Sequence, residues 1–320
     1  MDNKNKYIKF CHVEKQIPIF SQPWWLDVVC GKDNWDVILV SKGSDILATF
    51  PYYIQRNRGM TCICMPTLTQ KLGPYIKYPE RQKYTSRLSY ERDVMQDIIK
   101  QLPSYDVFSV NFDYKYTNWL PFYWNQFKQT TRYTYIIENI LDIDSVVKNF
   151  DSRKKSSLKK GMGNLNIRYD LSSTEFITFY QTCLKKKGKH LSYSSDLFCN
   201  VCKAAYNNEQ GRIVCAVDDE DRIHGAIFYV WDDNSAYVLV TAFDSECSSD
   251  APTLLIYQLI KDSSTHSKVF DFEGSMIDGV ELSYRRFGTI QKPYFYIYRY
   301  ASKKCRILKG LKCIIDAIKN

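Results

Sequence analysis

Two stretches of the chain carry the same alternation of apolar and polar positions. Val37–Asn57 reads VILVSKGSDILATFPYYIQRN and Val214–Asn234 reads VCAVDDEDRIHGAIFYVWDDN, and they align without a gap at an offset of 177. Val37 falls on Val214, Val40 on Val217, Ile46 on Ile223, Tyr52 on Tyr229 and Asn57 on Asn234, while small residues coincide at Ala48 and Gly225. Each copy is an apolar run, a polar turn, a second apolar run and a further turn, which is the pattern of a β-hairpin. A third strand follows each hairpin, Thr61–Met65 in the first copy and Ala236–Ala242 in the second. Turns that coincide over 21 residues predict an internal duplication.

Helical spacing takes over between these strands. Ser145–Lys160 is a lysine-rich helical region with a break expected near Asp151–Ser152, and Gly161 is placed to end it. Thr174–Lys187 presents Phe176, Ile177, Phe179, Tyr180 and Leu184 on one face. Asp196–Tyr206 and Pro252–Ser263 read as further helices, the second with proline in its first turn. Val269–Glu273 reads as a short strand, and a closing hairpin is expected to pair Val280–Phe287 with Tyr294–Tyr300. A three-stranded meander, a helix and a strand that crosses back together give a mixed sheet. The expected fold class is therefore α/β, an α+β mixed sheet. It comprises two tandem domains, 1–140 and 141–302, each a mostly antiparallel mixed sheet flanked by helices.

The tail Lys303–Asn320 sets Ile307, Leu311, Ile314, Ile315 and Ile318 at helical spacing, with lysines opposite. It is expected to close a core and to complete the first domain; peripheral contact with an anionic membrane is the other reading and stays open.

Composition adds limits. With 320 residues, 45% hydrophobic and 25% charged, the chain is of ordinary globular make-up and long enough for two domains. The start MDNKNKYIKF is polar and lysine-rich, so no signal peptide is expected, and no apolar run is long enough to span a membrane. A cytoplasmic protein is the expectation. The formal net charge of +9 calls for an anionic partner without naming it. The eleven cysteines are scattered and mostly inside apolar runs, which reads as free thiols. Cys199-x-x-Cys202, with Cys183 and His190 upstream, lacks the second pair a zinc site needs, so no metal is expected.

Several segments carry a family resemblance: RKKSSLKKG (Arg153–Gly161), IHGAIFYV (Ile223–Val230), the helix after Ala251–Pro252, FDFEGSMIDGVELSYRRFG (Phe270–Gly288) and KPYFYIYRY (Lys292–Tyr300). With SQPWWLD (Ser21–Asp27) and LTQKLGPYI (Leu68–Ile76), the chain resembles the Gcn5-related N-acyltransferase (GNAT) superfamily, in its Fem-type branch of two such folds in tandem. The resemblance implies transfer of an acyl or aminoacyl group to an amine, on a small molecule or a cell-envelope or glycan precursor. It implies no tightly bound cofactor, with acyl-CoA or aminoacyl-tRNA as co-substrate, tRNA as a possible partner, and no DNA. One departure stands out: DSECSSDAPTLL (Asp244–Leu255) has no glycine where simple acetyltransferases wrap backbone N–H groups round the coenzyme pyrophosphate. A catalytically silent module binding RNA or an envelope precursor is therefore the alternative reading.

Candidate residues follow. In a regular strand Asp271 and Glu273 share one face, about 7 Å apart, where a carboxylate could take a proton from the attacking amine. Glu273 is the first choice and Asp271 the second. On a strand, Arg285 and Arg286 would point to opposite faces; by resemblance a basic residue just before Phe-Gly contacts substrate or steadies the oxyanion. Arg285 is chosen, with Tyr284 as its alternate. Arg153 is carried over from the family pattern, and Lys155 and Lys159, one turn apart, join it as candidate phosphate ligands. Tyr229, in the duplicated hairpin, completes the donor- or substrate-binding set.

Overall fold

The computed structural model describes residues 2–57, 59–274 and 276–307. The chain divides into two compact units, the first made of 1–132 and 293–320, the second of 133–292.

In the first unit, α1 (Asn3–Val13) and α2 (Pro23–Cys30) precede β1 (Trp35–Lys42), β2 (Asp45–Asn57), β3 (Met60–Cys64) and the short β4 (Tyr75–Ile76). Then come α3 (Tyr84–Gln101), β5 (Val107–Asn111) and α4 (Leu120–Trp124). β1, β2 and β3 are antiparallel neighbours, and β3 pairs in parallel with β5, Cys62 opposite Val107. Trp25, Phe20, Phe50, Phe108, Phe112 and Phe122 are fully buried and form aromatic pairs with centroids 5.1–6.3 Å apart.

β6 (Lys128–Ile137) leads into the second unit, where α5 (Ile143–Asn149), α6 (Ser152–Asn164), β7 (Asn166–Arg168), α7 (Ser173–Lys186) and α8 (Ser195–Asn207) follow. β8 (Gly211–Val217), β9 (Ile223–Trp231) and β10 (Ser235–Phe243) form the second meander. α9 (Ala251–Ser263) crosses over to β11 (Val269–Asp271), which pairs in parallel with β10, Ala236 opposite Phe270. α10 (Asp278–Arg285) and β12 (Ile290–Tyr300) close the order. Leu254, Leu255, Leu259 and Ile260 of α9 bury against Val214, Ala216, Ile227 and Phe270. Each such aliphatic side chain contributes about 1.5–3 kcal/mol when removed from water.

The duplication is structural. Each unit runs hairpin, third strand, helix and a strand parallel to the third. Val40 pairs with Ala48 ahead of a bulge at Val40/Ser41, and Ala216 pairs with Gly225 ahead of a bulge at Ala216/Val217. The first strands thus correspond at an offset of 176 and the second strands at 177. The second copy holds one extra turn residue, which the gapless alignment hid.

The expected break at Asp151 is real. α5 ends at Asn149, and the Asp151 carboxylate accepts the Lys154 N–H at 2.8 Å to start α6. Four expectations need correction. Gly161 does not end α6, which runs on to Asn164; a Cβ at Gly161 would lie 3.1 Å from that of Leu254, so the glycine lets α6 and α9 approach. Val280–Phe287 is not a strand: Asp278–Arg285 is helical, because only its Tyr284 side reaches apolar partners, with Phe287 following. The first division falls at 132/133 and not at 140/141. Tyr296–Tyr300 pairs with Asn111–Val107, so the chain from Pro293 returns to the first unit. Of the tail helix expected over 303–320, residues 308–320 lie outside the described residues.

Candidate functional site

The end of β11 is held along its edge by β6, its antiparallel neighbour in the sheet. Phe270 pairs with Ile137 and Asp271 with Ile136, and the Phe272 N–H donates to the Tyr135 carbonyl at 3.0 Å. Asp271 is 1% exposed; its Oδ1 accepts both the Thr134 hydroxyl and the Glu273 backbone N–H, the latter at 2.8 Å. Here the regular strand stops. Glu273 adopts φ +60°, a left-handed conformation that non-glycine residues occupy at a cost of about 1–3 kcal/mol. Gly274 follows at φ +64°, and a Cβ there would lie 2.1 Å from the Tyr133 carbonyl oxygen.

This overturns the simple alternation of Asp271 and Glu273. They do not line one strand face as paired carboxylates; Asp271 braces the turn that presents Glu273. Glu273 itself is 9% exposed. Ser275, the last residue of the FDFEGS stretch, lies outside the described residues.

Tyr284 reaches this place from α10. Its ring packs on Phe272 at 5.0 Å and Tyr135 at 6.1 Å. Burial, then the carboxylates of Glu273 and Asp271, push its phenol up to about 12. It therefore stays protonated and able to donate. Arg285 sits on the outer side of the helix, with Nε 3.5 Å from Glu281 and a side chain 64% exposed. Arg286 turns the other way: its guanidinium lies 3.4 Å from Asp151 and its carbonyl accepts the Asp151 N–H at 2.9 Å. The two arginines do diverge, but from the end of a helix and not across a strand.

Arg153, Lys155 and Lys159 are exposed on α6, and Lys155 Nζ donates to the Lys148 carbonyl at 2.7 Å. Sequence reasoning passed over Lys154. Its ammonium lies 3.4 Å from Thr253 Oγ1, 3.3 Å from Ser283 Oγ and 4.2 Å from the centre of the Phe287 ring. Burial pushes its pKa down to about 8; Asp151 opposes the shift and Arg286 adds to it. Lys154 stands one turn before the buried Leu158, so the helical period marked it as inward-facing. Tyr229 does not line a site: it is 1% exposed and packs against Trp231 inside the core.

The segment ahead of α9 carries Asp244, Glu246 and Asp250. Lys186 binds Asp244 at 2.8 Å and Glu246 at 2.7 Å, and the Ser248 N–H donates to His224 Nδ1 at 2.9 Å. The Thr253 and Leu254 N–H groups donate to the Asp250 carbonyl at 3.0 and 3.1 Å. Among the described residues, no helix is long and apolar enough to cross a membrane.

Residues 148–275 match the family model described as an acetyltransferase (GNAT) domain. No curated protein matches the chain. Among solved structures, FemX covers 96% of its own length against 93% of this chain, at 11% identity and a TM-score of 0.66. A second is the C-terminal domain of an Agrobacterium fabrum protein designated a lysylphosphatidylglycerol synthetase. It is 8% identical, with a TM-score of 0.56, over 97% of this chain and 96% of that one. A conserved protein of unknown function from Bacteroides thetaiotaomicron shares 9% identity, with a TM-score of 0.54, over 85% of this chain and 90% of that one. The GNAT match thus falls within the second unit. The chain as a whole shares the fold of FemX.

Proposed function

We propose that this protein is an N-acyltransferase that moves an acyl or aminoacyl group onto an amine of a cell-envelope precursor, with the second unit as the reacting domain. The observation that carries the reading is Glu273: a buried carboxylate in a left-handed turn, braced through its own N–H by Asp271. Strain of this kind is kept where it serves a site. The GNAT match over 148–275 supports it.

In this mechanism the amine nitrogen attacks the acyl carbonyl carbon and the C–N bond forms. The C–S or C–O bond to the donor then breaks; Glu273 takes the proton that the amine gives up and passes it to the departing thiolate or ribose oxygen. Tyr284, protonated well past neutrality, donates to the developing oxyanion. Arg285 faces substrate from the exposed side of α10, and Arg153, Lys155 and Lys159 meet donor or acceptor phosphates. Acyl-CoA and aminoacyl-tRNA are the two donor classes; both are cytoplasmic, which sets the reaction there.

The test offers acetyl-CoA, longer acyl-CoA and aminoacyl-tRNA with amine acceptors and follows the product by mass spectrometry. Glu273→Gln is expected to lower kcat by about 10²–10⁴ with little change in KM. Undiminished turnover in that variant removes Glu273 from the role, and no transfer from any donor removes the reading. The glycine-free, carboxylate-bearing segment Asp244–Asp250 favours a second reading, a silent binding module. RNA or precursor binding without turnover would support it.

A further inference from the structure

The first unit holds an open cavity of about 990 Å³ between α1, the β1–β2 turn and the segment around β4. Four lysines line it. Lys6 and Lys9 stand one turn apart on α1, Lys42 ends β1, and Lys77 follows β4. Asp45 is the sole carboxylate among the lining residues. Among the described residues none of the four lysines is in an ion pair, whereas Lys4, beside them on α1, reaches Asp27 at 4.0 Å. The floor is aromatic and apolar: Phe10, Tyr78 and Tyr90.

The cavity walls are tied by hydrogen bonds to the main chain. The Lys77 N–H donates to the Leu47 carbonyl at 2.9 Å, and the Tyr90 hydroxyl donates to the Lys77 carbonyl at 2.9 Å. Lys77 is thereby fixed at the main chain while its ammonium stays exposed. On α1, Tyr7 and Cys11 are buried, which turns Lys6 and Lys9 outward to the rim. The corresponding hairpin turn of the second unit, Asp218–Arg222, carries four carboxylates and one arginine, whereas Ser41–Asp45 carries one lysine and one aspartate, so the acidic charge of the second copy is absent here.

We infer that this cavity is an anion site of the first unit, taking a small organic diphosphate whose apolar or aromatic part lies on the Phe10–Tyr78–Tyr90 floor. Lysines act as mobile point charges that gather round phosphoryl oxygens from several directions. A free phosphate would fill only a small part of the volume, which lies at the upper end of small-molecule pockets. The aromatic floor accounts for the remainder. The site is independent of the transfer reaction proposed above.

Calorimetric titration of the full chain with inorganic pyrophosphate and with ADP tests it. Both are expected to bind, ADP the more tightly because the floor contributes. The Lys9→Glu/Lys42→Glu variant is expected to lose about tenfold or more in affinity, with unchanged circular dichroism and melting temperature. Lys77→Gln should weaken binding in the same direction. Lys203→Glu, a reversal of one charge at an exposed position of α8, should not. Vesicles carrying diacylglycerol pyrophosphate separate the two sources of such a group: sedimentation with them, lost in the double variant, supports the site and assigns a lipid-borne ligand. No binding of any probe at millimolar concentration, or equal weakening by Lys203→Glu, overturns it.

Discussion

The carboxylate of Asp271 holds the backbone N–H of Glu273 at 2.8 Å while also taking the Thr134 hydroxyl. One buried side chain thereby ties β6 to the turn that ends β11 and fixes where Glu273 emerges.

Asp271→Ala leaves both donors buried without that acceptor. The expected cost is about 2–4 kcal/mol, read as a lower urea midpoint, because each stranded donor pays its desolvation. Asp271→Asn keeps one acceptor oxygen and is expected to cost roughly half as much. Equal stability of wild type and alanine variant would refute the brace.

Gly274→Ala is expected to be more severe. The new Cβ would sit 2.1 Å from the Tyr133 carbonyl oxygen in a backbone with φ +64°, so the turn must move away from β6. A loss of about 3 kcal/mol or more, or failure to fold, follows. Calorimetric melting decides it.

Lys154 predicts a pH dependence. Its pKa is about 8 in the folded chain against an ordinary 10.5, so between those values the unfolded chain binds more protons than the folded one. Stability from this residue therefore rises with pH across that window, and below pH 8 the full penalty of the buried charge is present. The difference in guanidinium midpoint between wild type and Lys154→Met is expected to move in favour of wild type from pH 8 to 10.5. A pH-independent difference would refute it.

Tyr284→Phe removes one hydroxyl and keeps the packing on Phe272 and Tyr135. Stability is expected to change by about 1 kcal/mol or less. Under the proposed mechanism kcat falls about 10²-fold with KM little altered, as for loss of one oxyanion donor. Steady-state kinetics with circular dichroism separates the two effects.

Much of this was legible in the chain. Apolar periodicity placed α7, α8 and α9 within a residue or so, and the hairpin match found the duplication, because both depend on neighbours close in sequence. The strand expected over Val280–Phe287 is instead helical over Asp278–Arg285; its inward side depends on Phe272 and on Tyr135, the latter far off in the chain. Of the proposed site, the short strand that opens FDFEGS was legible, while the left-handed conformation of Glu273 was not readable from alternation.

By itself, then, the sequence determined the repeated hairpin with its third strand and the helical faces of the second half, all set by local spacing and burial preference. Tertiary structure alone decided that Pro293 onward returns to the first unit, that α6 and α9 close on Gly161, that Lys154 and not Arg153 turns inward, and that Glu273 leaves its strand. Each of those rests on a partner distant in the chain. Pairing to β5, packing against Leu254, the hydroxyls of Thr253 and Ser283, and the carboxylate of Asp271 exist only once the chain has folded.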